Sequence, residues 1–169
     1  MSTRTGVLKT LALAAAGLAA AALLATGAAA VTSPTQTRES YAAAVEPICK
    51  KNTKANEQIL AGVRKKIQQG KLAVAAGQFA KASTAFGKAV KQLKAVPQPA
   101  ADAAKLGKWL GYLDKETKLL GEIGSALKAD KKAKAQRLSL LLDHNGKTAN
   151  NQVLGFEFDY CLIDSSKFE

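Results

Sequence analysis

The sequence predicts an all-α protein, an antiparallel up-down four-helix bundle with one disulfide, preceded by an N-terminal signal segment. Three observations carry that expectation. Apolar residues recur at helical spacing in four successive blocks, alanine is abundant while aromatic residues are few, and two cysteines stand near opposite ends of a chain that opens with an export signal.

The signal comes first. Residues 2–9 hold Arg4 and Lys9 and no acid, and Thr10–Val31 then runs for 22 residues without a charge, almost wholly Ala, Leu and Gly. Ala28-Ala29-Ala30 supplies the small residues that signal peptidase accepts. Cleavage after Ala30 makes residues 1–30 a secretory signal peptide and 31–169 a single helical-bundle domain. Left uncleaved, residues 10–31 would anchor the chain, because such a run at about 1.5 Å per residue just spans roughly 30 Å of hydrocarbon. In both cases Arg4 and Lys9 keep the N-terminus inside, which sends the rest to the cell envelope or the extracellular medium. Two thiols in one small exported domain predict a structural disulfide between Cys49 and Cys161. A redox-active pair would sit close in sequence, as C-x-x-C.

The first block, Thr37–Gln69, gathers Tyr41, Val45, Ile48, Ile59, Val63 and Ile67 on one arc of a helix; Pro47 should kink its start and Gly70 ends it. Over Lys71–Ala95 the stripe is Leu72, Phe79, Phe86, Val90 and Leu93, and Val96-Pro97-Gln98-Pro99 breaks it. Pro99 is placed to open the third helix, Pro99–Lys128, with Leu106, Trp109, Leu110, Leu113, Leu120, Ile123 and Leu127 facing inward. Asp130 reads as the N-cap of the fourth, Lys131–Leu154, whose stripe is Leu138, Leu141, Leu142, Ala149 and Val153. Asp143-His144-Asn145-Gly146 carries a turn signal, yet the stripe keeps phase across it, which favours one continuous helix. Gly155 is the expected cap, and Phe156–Tyr160 alternates like an extended segment leading to Cys161. In such a bundle the first and fourth helices lie side by side in opposite directions, which brings Cys49 to Cys161.

The pattern resembles a loose group of uncharacterised exported two-cysteine helical-bundle proteins of high-GC Gram-positive bacteria. Ile48-Cys49 with Asn52 and Asn56, then Ala149-Asn150-Asn151, Gly155-Phe156 and Cys161, carry the likeness. It implies a disulfide-tied bundle in the envelope or medium and supplies no activity or cofactor.

Nothing in the chain points to catalysis. His144 is the only histidine and falls on the polar side of its helix, Glu-x-x-His and C-x-x-C-H are absent, and no G-x-S-x-G presents a serine. The expectation is a non-enzymatic protein without metal or cofactor. Asn52, Asn56 and Asn145 interrupt apolar stripes, as residues that fix helix register or line a polar cavity do. With Cys161 continuing a straight fourth helix, Asn145 would lie about 24 Å from the bridge and Asn56 about 10 Å, too far apart for one site.

Charge is the more informative signal. Between Lys50 and Lys94 eleven bases meet one acid, Glu57, a net +10, while the remainder is near neutral. Lys50, Lys51, Lys54, Arg64, Lys65, Lys66, Lys81, Lys88 and Lys91 form the expected anion-contact surface. Outside a cell such a surface meets anionic envelope polymers or a membrane surface, which reward clustered lysine through counterion release. Arginine is scarce, so sequence-specific nucleic-acid recognition is not expected. The expected state is a monomer or weak oligomer. The alternative reading is a small-ligand-binding bundle with a polar cavity near Asn52 and Asn56.

Overall fold

The computed structural model describes residues 36–164. The predicted signal and anchor segment lies outside the described residues. Within them the chain is all-helical, and Cys49 and Cys161 form a disulfide.

Thr37 starts α1 (Arg38–Leu60): its hydroxyl accepts from Ser40 N–H at 3.2 Å, and Ser40 Oγ accepts from Thr37 N–H at 2.9 Å. The helix continues through Pro47 but stops at Leu60, so the uninterrupted first helix expected to Gln69 is corrected. Gly62 adopts φ 65° and starts the short α2 (Val63–Gln68). Gln78, from the next helix, donates to the exposed carbonyls of Ile59 at 2.6 Å and Ala61 at 3.2 Å. That replaces part of the lost helical bonding, while Leu60 and Val63 on either side of the corner are both buried. Gly62→Ala is expected to destabilise the fold by about 1–2 kcal/mol, the cost of a Cβ in the left-handed region. Nothing lies within 4 Å of the added methyl, so a denaturation midpoint isolates the backbone effect, and an unshifted midpoint would refute it.

Gly70, at φ 72°, closes α2 by donating to Ile67 O while Lys71 N–H reaches Lys66 O at 2.8 Å. α3 (Leu72–Ala95) and α4 (Ala103–Lys128) follow, separated by a single 3₁₀ turn at Ala100–Asp102 that Pro99 introduces. Gly124 lies against Ala76 and Phe79, Ser83 donates to Thr117 O at 2.8 Å, and Lys94 pairs with Asp114, so α3 and α4 are antiparallel.

Asp130 is not the N-cap expected of it. It takes φ 52° and closes α4, donating to Leu127 O while Lys131 N–H reaches Ala126 O. Aspartate is among the few residues besides glycine that tolerate this region. α5 (Lys132–Gln152) runs unbroken through Asp143–Gly146. Gly146 serves packing there: a Cβ would come within 2.9 Å of the Ile163 side chain. Leu141, expected inside, is half exposed, because α5 packs chiefly on α4 and buries only the narrow arc of Ala135, Leu138, Asn145, Gly146 and Ala149.

Gly155 does not cap α5. The chain leaves through a 3₁₀ turn, Leu154–Phe156, and the left-handed residue is Glu157 at φ 51°. The expected extended segment is a series of bends, although Phe156 and Phe158 are buried between exposed Glu157 and Asp159 as alternation requires. The core has two parts. Tyr41, Leu106, Trp109 and the disulfide anchor one, Phe79, Ile123 and Leu127 the other, and Phe86 touches both.

Candidate functional site

The C-terminal tail, 153–164, organises the region around the disulfide. It turns back along α5 instead of prolonging it, and Asn150 fixes it in the manner of a paired strand, exchanging hydrogen bonds of 2.8 Å with Ile163 N–H and O. Glu46 on α1 accepts from the successive N–H groups of Asp159, Tyr160 and Cys161 at 3.0–3.2 Å. A carboxylate is suited to this because three donors converge on one charge. Cys161 therefore meets Cys49 through a folded-back tail held on α1, not through neighbouring first and fourth helices.

Arg38 ties the other end. Its guanidinium donates two bonds of 2.7 Å to Asp102, which is buried at the start of α4, and lies 5.4 Å from the centroid of Phe156. Those hydrogen bonds hold the Asp102 carboxyl below its ordinary range. Arg38 thus joins the starts of α1 and α4 to the tail. Neither Arg38 nor Glu46 carries a periodic signal, since both contacts depend on where the tail returns.

Behind the disulfide, α1, α3, α4 and the tail enclose a cavity of about 70 Å³. Asn52 and Asn56 are both in its lining, and Asn56 Nδ2 donates to Asn52 Oδ1 at 2.9 Å. Asn56 is 3% exposed, and its own Oδ1 has no partner. Glu116 on α4 is in the same wall, 5% exposed. Burial pushes its carboxyl up to about 7, a bond from Asn145 opposes this, and Asp143 adds to it. Asn145 is 1% exposed and donates to Glu116 Oε2 at 2.7 Å and to Tyr112 O at 2.9 Å. The separation expected between Asn145 and Asn56 is therefore corrected. Glu116 lines the same cavity as Asn56, and Asn145 bonds Glu116, because the tail doubles back, laying Ile163 on Gly146, and Cys161 does not set the register of α5.

Glu116 carries a signal in the sequence. It lies three residues after Leu113 and four before Leu120, in phase with the buried stripe of α4. An acid at a core position is far less common than an asparagine and marks a polar interior as strongly.

The predicted anion-contact residues lie on α1, α2 and α3, which pack together. Lys50, Lys51, Lys54, Arg64, Lys65, Lys81, Lys88 and Lys91 are exposed, and Lys66 is half-buried with its Nζ 3.1 Å from Gln78 Oε1. Lys51, Lys54, Lys65, Lys81, Lys88 and Lys91 have no acidic partner among the described residues. Lys50 lies 4.7 Å from the centroid of Tyr160. His144 is exposed, and no group of three or more His, Cys, Asp or Glu able to hold a metal occurs among the described residues. No described helix is long and apolar enough to cross a membrane. No family model, curated protein or solved structure matches the chain.

Proposed function

We propose that the protein is exported, folds as an up-down four-helix bundle and acts without catalysis as an envelope or extracellular binding protein, its basic half contacting phosphate-bearing envelope polymers or lipid head groups. The observation that carries this reading is the set of six lysines on α1–α3 that are exposed without an acidic partner among the described residues. Exposed lysine is inexpensive to solvate, so exposure alone does not make a binding face. Concentration does: a net +10 within 45 residues lowers the free energy of any polyanion that releases its counterions on contact. An export signal and a buried disulfide agree on the compartment where such polymers are met.

Co-sedimentation with phosphatidylglycerol vesicles, and separately with isolated teichoic-acid-bearing cell wall, tests the reading. Raising salt from about 50 to about 200 mM should weaken binding about tenfold or more. Replacing Lys81, Lys88 and Lys91 with Gln should weaken it at low salt and flatten the salt dependence. Salt-insensitive binding, or none at low salt on either surface, would remove the proposal.

A further inference from the structure

We propose that the cavity behind the Cys49–Cys161 disulfide is a binding site for a small organic ammonium, with Glu116 and Asn56 as its acceptors. This stands apart from the basic face and does not depend on it. Three features of the wall point the same way.

The wall contains Glu116 and Asp164 but no Lys, Arg or His, in a chain where bases outnumber acids 25 to 13. Glu116 receives one neutral bond from Asn145 and has no cationic partner among the described residues. A buried carboxylate in that position stabilises an incoming cation, because desolvation has already been met by the fold and the low dielectric strengthens the pairing.

Free hydrogen-bonding capacity in the wall is weighted to acceptors. Asn56 Oδ1 is buried and unpartnered, and the other half of its amide is committed to Asn52. A primary ammonium brings three donors and no acceptor, which suits a wall that offers a carboxylate and an unpartnered amide oxygen. Most of the remaining lining is apolar, Trp109 and Phe86 included, which suits a short alkyl group beside a cation. Trp109 Nε1 is the one buried donor of the lining without a partner, against the acceptors of Glu116 and Asn56.

Size limits the guest. A water needs roughly 10–15 Å³ of such space, so about 70 Å³ takes a few waters or an ammonium of a few heavy atoms, not an amino sugar or a polyamine. Leu162 and Asp164, both in the lining, are exposed.

Trp109 is the only tryptophan and lies in this wall, so its fluorescence reports the cavity. The protein, held at about pH 8 so that Glu116 is ionised, is titrated with ethylammonium chloride, with ethanol as the neutral isostere and sodium chloride as the ionic control. The expected result is a saturable Trp109 response to ethylammonium, at least about tenfold weaker with ethanol and lost to a similar degree in Glu116→Gln. Equal responses to ethylammonium and ethanol, a matching response to sodium chloride, or no saturation would overturn the proposal. Unchanged affinity in a folded Glu116→Gln would do the same. The comparison of the two guests on the unaltered protein decides the matter even if the variant does not fold.

Discussion

Replacing Cys49 and Cys161 together with Ser is expected to lower the unfolding free energy by about 4–5 kcal/mol, the loop-closure entropy of a link across more than 100 residues. The two cysteines are separated by 112 positions, so the bridge removes much of the unfolded chain's freedom. Against a typical domain stability of about 5–15 kcal/mol that is a large fraction. Besides the bridge and the packing of Phe156 and Phe158, the tail is held by the three N–H bonds to Glu46, the Asn150–Ile163 pair and the 3.4 Å contact of Thr53 Oγ1 with Tyr160 O. Bonds of that kind contribute about 0.5–1.5 kcal/mol each and hold only a tail that is already local. The double variant should therefore also release Phe156 and Phe158 from the core and expose Trp109, which Phe158 covers at a centroid distance of 5.6 Å. Urea unfolding followed by tryptophan fluorescence, with and without reductant, measures both effects. Coincident curves for the oxidised protein and the double variant would show that the disulfide is an ornament on a fold held by its helices.

The parts of this architecture that were readable from sequence are those set by local periodicity. The α4 stripe from Leu106 to Leu127 is buried as its spacing requires, and α3 ends where Val96-Pro97 ends it. The first helix misled because one glycine does not disturb the phase of a stripe: Ile59, Val63 and Ile67 stay in register across Gly62. The hydrogen bonds that make the corner affordable come from Gln78, a residue with no local mark. Asn145-Gly146 reads as a turn in isolation. Here the asparagine is buried to hold Glu116 and the glycine is small to admit Ile163, and both reasons lie in residues distant in sequence. The same return of the tail explains why Asn145 bonds Glu116, a residue in the wall of the cavity that Asn56 also lines, although a Cys161 on a straight fourth helix would keep the two asparagines far apart. Lys81 and Lys88, by contrast, are exposed as their phase opposite Phe79 and Phe86 requires.

Stability should fall with rising pH through the range in which Glu116 loses its proton, and Glu116→Gln should abolish that component. The unfolded chain titrates this carboxyl near its ordinary 4.5, whereas burial in the cavity wall raises it to about 7 in the fold. Between those values the unfolded state releases a proton that the folded state retains, so each step up in pH favours unfolding until the folded group ionises too. At about 1.4 kcal/mol per pH unit of separation, the accumulated loss is on the order of 3 kcal/mol above pH 7. Glutamine keeps the shape and still accepts from Asn145 Nδ2. The variant should match the unaltered protein near pH 4.5 and exceed it by about 2–3 kcal/mol at about pH 8. Taking the difference between the two proteins cancels the opposite acid-side contribution of Asp102, whose carboxyl Arg38 holds low. Asp143 is the nearest acid that raises Glu116, and no base lines the wall to lower it, so an engineered cation there should reverse the slope. Parallel pH profiles for the two proteins would mean that water reaches Glu116 freely and that the cavity is an open cleft. A protein that keeps an ionisable, destabilising carboxyl in its core when a glutamine would serve has retained a charge, and the small cation proposed for the cavity is what that charge would hold.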